Sequence, residues 1–180
     1  YNIAIGNTAL GGNTTADANV AVGHAALLAN TTGTSNIAMG RQALTTNITG
    51  SSNTAIGHVA LGDNTASNNT AVGSLAANAN TTGSDNVAVG KHCALNSTTG
   101  SSIVAIGSNT LEDNTTGTRN TAVGQGALNK NTTADDNVAV GMNALAANTT
   151  GYNNAAVGKA AMDQNTTGAS NTALGKGALY

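Results

Sequence analysis

A stretch of seventeen residues, NVAVGHAALLANTTGTS at residues 19–35, decides the fold, because variants of it fill the whole chain. The same pattern returns as NVAVGMNALAANTTGYN at residues 137–153. Its anchor, Asn-x-Ala-Φ-Gly with Φ an aliphatic residue or Met, occurs eleven times, once with Ile103 in place of Asn. Successive anchors lie seventeen residues apart, except for a step of sixteen from Gly57 to Gly73. Positions are numbered here from 1 (Asn19) to 17 (Ser35), and each copy is a rung.

Composition limits what such a chain can build. Among its 180 residues there is no Phe, Trp or Pro, and aromatic residues make up 2%. Only 8% are charged, against roughly 25% in a typical soluble domain. Its apolar side chains are mostly Ala, Val, Leu and Ile, which favour thin, closely spaced layers.

Charge and cysteine content exclude several classes of partner. The net charge of −2 provides no basic footprint for nucleic acid and no polybasic membrane patch. The single cysteine, Cys93, permits no intrachain disulfide and no metal cluster. We therefore expect no cofactor, no metal, no nucleic-acid partner and no membrane contact in this segment.

The start of each rung reads as a β-strand. Position 2 is β-branched in ten rungs and position 4 is always aliphatic or Met, with Ala between them at position 3. This alternation predicts that positions 2 and 4 share one face of a strand and position 3 takes the other. We assign positions 2 and 4 to the interior, joined by the leucines of position 9.

Two kinds of corner close each rung. Asn-Thr-Thr-Gly, as in residues 30–33, has the residue types of a turn. Position 5 is glycine in every rung, which predicts positive φ or backbone contact too close for a Cβ. These expected structural turn residues are Gly6, Gly23, Gly40, Gly57, Gly73, Gly90, Gly107, Gly124, Gly141, Gly158 and Gly175.

Two short strands and two turns fit seventeen residues, and the repeat predicts an all-β parallel β-solenoid of about eleven rungs. A helix is disfavoured, because its frequent Gly and Asn residues would destabilise it. We expect residues 1–180 to form a single repeat array that is a segment of a longer fibre protein.

The alanines of position 3 suggest an interface between copies of the chain. A solvent-facing strand position is normally polar, so eleven stacked alanines favour a close-packed neighbour. Position 8, with Ala26 and Ala144 among others, would add a second stripe. The predicted oligomer face consists of Ala4, Ala21, Ala38, Ala55, Ala71, Ala88, Ala105, Ala122, Ala139, Ala156 and Ala173.

No residue pattern indicates catalysis. His24 and His58 occupy the variable position 6 two rungs apart, roughly 10 Å, which is too far to share a metal. The acids are scattered over turns, and only the pair Asp135–Asp136 could touch a surface cation. No nucleophile, base and orienting residue recur together, so we expect no enzyme activity.

Asn-x-Thr sequons recur at the second corner; turn chemistry explains them, and glycosylation is the alternative.

The segments Asn19–Gly23 and Asn36–Gly40 resemble the head repeats of YadA-like trimeric autotransporter adhesins. The longer unit, through Asn-Thr-Thr-Gly, is similar to repeats of phage-tail-fibre-like proteins. The resemblance covers the whole chain and implies a left-handed parallel β-roll, three chains side by side, on a cell or virion surface. The seventeen-residue period is longer than the usual unit of the adhesin heads.

The expected function is therefore a structural fibre or adhesin shaft. It would be extracellular, on a bacterial cell surface or virion, and would provide reach and multivalent attachment to host or prey surface glycans or proteins. The alternative is an ice-binding β-solenoid that uses its stacked threonines, such as Thr31 and Thr149.

Overall fold

The computed structural model describes residues 1–179, which form one parallel β-solenoid. One sheet contains all eleven strands in chain order, and each strand is three residues long. The strands are β1 (Ile3–Ile5), β2 (Val20–Val22), β3 (Ile37–Met39), β4 (Thr54–Ile56), β5 (Thr70–Val72), β6 (Val87–Val89), β7 (Val104–Ile106), β8 (Thr121–Val123), β9 (Val138–Val140), β10 (Ala155–Val157) and β11 (Thr172–Leu174). The predicted all-β solenoid is confirmed.

Strand register follows the repeat. Each alanine of position 3 pairs with the alanine of the next rung, as Ala21 does with Ala38. The sixteen-residue rung keeps this register, with Ala55 opposite Ala71. The missing residue is therefore absorbed in the corner, between Thr65 and Ala66, where a turn can be shortened without moving a strand.

The second half of the rung is not a strand, contrary to the prediction. Three residues per rung, at positions 7, 9 and 17, adopt the left-handed conformation, with φ between 46° and 63° at the non-glycine examples. Leu27 at position 9 has φ 51°, yet its amide still donates to Ala43 O of the next rung at 2.9 Å. The sequence did not indicate these left-handed residues, because they include Ala, Leu and Val, which rarely adopt the left-handed conformation.

The assignment of positions 2 and 4 to the interior is wrong. From β2 onward, the central alanine of every strand is buried, while its two neighbours are half-buried or exposed. The predicted oligomer face is wrong for the same reason, since Ala21 to Ala173 at position 3 are at most 5% exposed within a single chain. Only Ala4, in the first rung, is exposed.

The interior is too narrow for a branched side chain on the strand. Position 9 leucines such as Leu44 and Leu128 lie fully buried, as predicted, beside the equally buried alanines of position 8. Asparagines at positions 1 and 12, such as Asn36 and Asn47, fill the rest of the cross-section and are also fully buried. The space left above the strand fits a methyl group, so alanine faces inward and the larger residues face out.

Each buried asparagine is held by hydrogen bonds within and between rungs. At position 1, Asn19 Nδ2 donates to Gly33 O at 2.9 Å, and Asn19 Oδ1 accepts from the backbone N–H of Asn36 at 2.9 Å. At position 12, Asn47 Nδ2 donates to Gly50 O of its own rung at 2.9 Å and to Asn30 Oδ1 of the preceding rung at 3.1 Å. Two asparagine columns therefore run along the solenoid.

The glycines of position 5 have φ between 121° and 139°. A Cβ at Gly124 would lie 2.6 Å from the carbonyl carbon of Gly141 and 2.7 Å from its oxygen. Both the backbone conformation and the close stacking of rungs therefore require glycine at this corner.

We expect Gly124→Ala to lower the free energy of unfolding by about 2–4 kcal/mol, because the methyl group meets the next rung's backbone and the conformation is strained. Urea denaturation measures the change. The neighbouring Gln125→Ala, at an exposed side chain, serves as control and should stay within about 0.5 kcal/mol of the wild type. Equal stability of the two variants would contradict the close approach.

Val59 at position 7 is a β-branched residue with φ 54°, whereas the same position holds Asn109 and Asn143 with φ 57° in other rungs. We expect Val59→Asn to raise the free energy of unfolding by about 0.5–1 kcal/mol, because Asn tolerates this conformation better. Thr45→Asn is the control: position 10 also accepts Asn, at Asn129, but is not left-handed, so no gain should appear. A gain in the control alone would refute the explanation.

Candidate interaction surface

The outward side of the sheet carries two columns of uncharged side chains, most of them apolar. Position 2 contributes Val, Ile, Thr or Ala, and position 4 contributes Val, Ile, Met or Leu, in every rung from β1 to β11. Strand geometry places the two columns about 7 Å apart and successive rungs about 4.8 Å apart. This surface, termed here the sheet face, is therefore about 50 Å long and two side chains wide.

Side chains of the sheet face are substantially exposed in the single chain. Relative exposures of its larger members within the array are 38% for Ile37, 41% for Met39, 38% for Ile56, 40% for Ile106 and 39% for Val138. No charged residue occupies position 2 or position 4 in any rung. A sheet side that faces only water normally alternates to polar residues, so this face has the composition of a contact surface.

Sequence alternation correctly predicted that positions 2 and 4 share one face of the strand, but the assignment of that face to the interior was wrong. One available signal was volume: position 3 is Ala in all eleven rungs, whereas positions 2 and 4 vary in size. A tightly packed interior tolerates little change in volume, so the invariant small residue marks the inside.

The histidines and acids do not converge on a site. His24 and His58 are exposed, with Arg41 on the rung between them; Arg41 Nη1 lies 3.1 Å from His58 Nε2. Asp136 accepts two hydrogen bonds from Arg119, at 2.6 and 2.8 Å, and this pairing lowers its pKa. Within residues 1–179, no three His, Cys, Asp or Glu side chains are close enough to hold a metal ion.

The threonine column of position 13 is tied to the backbone. Thr31 Oγ1 donates to Ile48 O at 3.1 Å, and Thr149 Oγ1 donates to Thr166 O at 3.0 Å, in each case on the next rung. These hydroxyls therefore reinforce stacking. The sequon asparagines of position 12 are similarly occupied, since Asn148 is fully buried and its amide donates twice.

Cys93 lies at position 8, in the core, where nine other rungs have alanine and one has Thr110. It is fully buried, and its Sγ donates to Ala105 O at 3.1 Å. Burial raises the pKa of the Cys93 thiol to about 12, so the nucleophilic thiolate is suppressed at neutral pH. Ala94 then takes the position 9 place of leucine, and Leu95 moves to the half-buried position 10.

Comparisons with protein-family models, with curated proteins and with solved structures find no match to this chain. Across residues 1–179 there is no helix of the length and hydrophobicity that crossing a membrane requires.

The thiol of Cys93 should be inert while the chain is folded. At pH 8, a disulfide reagent such as 5,5′-dithiobis(2-nitrobenzoate) should label it at least a hundredfold more slowly than in the urea-unfolded chain, because the thiol is buried and protonated. Labelling of the native protein at the unfolded rate would show that Cys93 is accessible.

Proposed function

We propose that this chain is a segment of a structural fibre or adhesin shaft, displayed outside a bacterial cell or on a virion, in which three left-handed solenoids lie side by side. The apolar sheet face is the observation that carries the proposal. It would lie between the copies, in place of the alanine face expected from sequence. The handedness and the number of three come from the resemblance to adhesin and tail-fibre repeats.

The area of the sheet face is that of a protein-binding surface, larger than scattered apolar residues on a monomer would give. A strip about 50 Å long and about 12 Å wide covers on the order of 600 Å², the upper end for the largest apolar patch on a typical monomer. In a trimer the strip is shared between two neighbours, so flanking residues must supply more than half of the roughly 800 Å² per partner of each standard interface.

The repeat favours a second copy of the same chain as that partner. Every rung presents two outward uncharged side chains at one spacing: both are apolar in seven rungs, and an apolar residue lies beside a threonine in the other four. Only a surface with the same period can match them along the full length. A second copy of this chain has the same period because its sequence is the same. Copies related by rotation about an axis parallel to the solenoid have each rung at the same height as the equivalent rung of the neighbour.

A shaft of this kind acts mechanically. Short corners between stacked rungs offer few sites for proteolysis, and a repeated surface supports many weak contacts at once. The expected reach and multivalent attachment follow from length and repetition, without catalysis.

Sedimentation velocity of the purified chain tests the assembly. We expect a species of three times the 17.4 kDa chain mass. Ile56→Lys combined with Ile106→Lys should give a folded monomer, because both side chains point out of the single chain and a buried lysine in the interface is costly.

The matched control combines Thr116→Lys with Thr150→Lys, which adds the same charge at exposed corners and should leave the trimer intact. A wild-type monomer would overturn the proposed interface. A stable dimer that the isoleucine variants dissociate would retain the interface and reject the trimer.

A further inference from the structure

Charges of opposite sign are segregated around the rung. All eight acidic residues lie at positions 10, 11, 16 and 17, on either side of the Asn-Thr-Thr-Gly corner. Four of the six Lys and Arg residues and two of the three His residues lie instead at position 6, directly after the corner glycine. This basic column consists of His24, Arg41, His58, Lys91, Lys159 and Lys176, and no rung has an acid at position 6.

The basic column is exposed and is not neutralised by the chain itself. All six side chains are exposed. In residues 1–179 none of them takes part in an ion pair, whereas the two corner cations do: Lys130 binds Asp113 at 2.7 Å and Arg119 binds Asp136 at 2.6 Å. The chain therefore pairs its cations in the corners and leaves those of position 6 free.

The contact between Arg41 and His58 orients part of the column. Arginine has only donors, so its Nη1 donates to Nε2 of His58 across 3.1 Å, one rung away. An Nε2 that accepts carries no proton, so Arg41 is the charged member of this contact. With His24 on the preceding rung, the three side chains stack over about 10 Å along the axis. Lys159 and Lys176 place two further cations on adjacent rungs near the other end of the solenoid.

The column lies outside the sheet face, beyond the glycine of position 5. Packing of sister chains on positions 2 and 4 would therefore not require it to be buried. In the other five rungs, position 6 holds polar residues that can exchange hydrogen bonds with hydroxyl groups, except for one methionine: Asn7, Ser74, Ser108, Gln125 and Met142.

We propose that the basic column binds a linear anionic polysaccharide, laid along the solenoid axis with its carboxylate or sulfate groups against the spaced cations of the column. This inference rests on the attachment role proposed above and names the class of its partner. A line of charges one side chain wide, interrupted by hydroxyl and amide groups and by the apolar Met142, matches a polymer whose charges are spaced by neutral sugar rings and hydroxyls.

Nucleic acid fits the column less well. Double-stranded DNA carries a charge every ≈ 1.7 Å, far denser than four permanent cations spread over about 40 Å, and the chain is net negative at −2. Binding of single strands commonly uses aromatic stacking, and the chain has three Tyr and no Phe or Trp.

Binding of heparin, compared with neutral dextran and a single-stranded DNA oligonucleotide of similar length, tests the proposal by titration calorimetry in 50 mM salt. The wild-type chain should bind heparin, lose affinity as salt rises, and not bind dextran. Arg41→Gln with Lys91→Gln should weaken heparin binding at least fivefold. Gln already occupies position 6 at Gln125, so the fold should tolerate both changes.

Arg119→Gln with Lys130→Gln is the matched control, since it also removes one Arg and one Lys and gives the same net charge. It should change heparin affinity less than twofold. No heparin binding by the wild type, equal losses in the two variants, or tighter binding of DNA than of heparin would each overturn the proposal. The subunit mass from sedimentation is measured separately, so failure of the polysaccharide site and failure of the trimer are distinguishable.

Discussion

Side-chain amides of buried asparagines connect each rung to the next beside the Asn-Thr-Thr-Gly corner, where the backbone leaves strand geometry. A corner in a solenoid has carbonyls and N–H groups that point along the axis or inward, and each would be costly to bury unpaired. Asn19 Oδ1 accepts from the backbone N–H of the following rung, and Asn19 Nδ2 donates to the carbonyl of Gly33 in its own rung. Asn30 donates to the same Gly33 carbonyl. At about 1 kcal/mol net for each bond, and more for each one left unmade, these columns make the stacking of every rung depend on the same residue type.

The asparagine columns also determine what else fits inside. With two amides and one leucine in most rungs, the remaining space fits only small side chains, so position 3 is always alanine and position 8 is alanine except at Cys93 and Thr110. The larger Val and Ile residues of the strands are then left on the outside. A largely apolar outer face is therefore a consequence of the narrow interior, and it is the surface that we propose sister chains to cover.

Irregular rungs show how much variation this arrangement accepts. Ile103 stands at position 1 in place of Asn, yet its N–H still donates to Asn86 Oδ1 at 3.0 Å. In the preceding rung the position 12 asparagine is replaced by Ser97, whose Oγ accepts from Asn114 Nδ2 at 3.2 Å. Smaller residues, Ala77 and Ala94, replace leucine at position 9 in the same part of the array. A larger side chain is thus accompanied by smaller ones nearby, as volume-conserving changes in packed interiors usually are.

Sequence periodicity by itself determined the parallel stacking, the length of the rung, the register of the strands and the place of the position 9 leucines in the core, because a repeat of constant length brings identical residues into contact. It also determined that positions 2 and 4 of the rung share a face. It did not determine which face is inside, since alternation has the same period on both sides of a strand. That choice depended on the volume left by the buried asparagines and leucines, together with the left-handed residues of positions 7, 9 and 17. Only the tertiary structure shows this interior volume and these left-handed residues. For that reason the candidate interface is now the outward face of positions 2 and 4 and not the alanines.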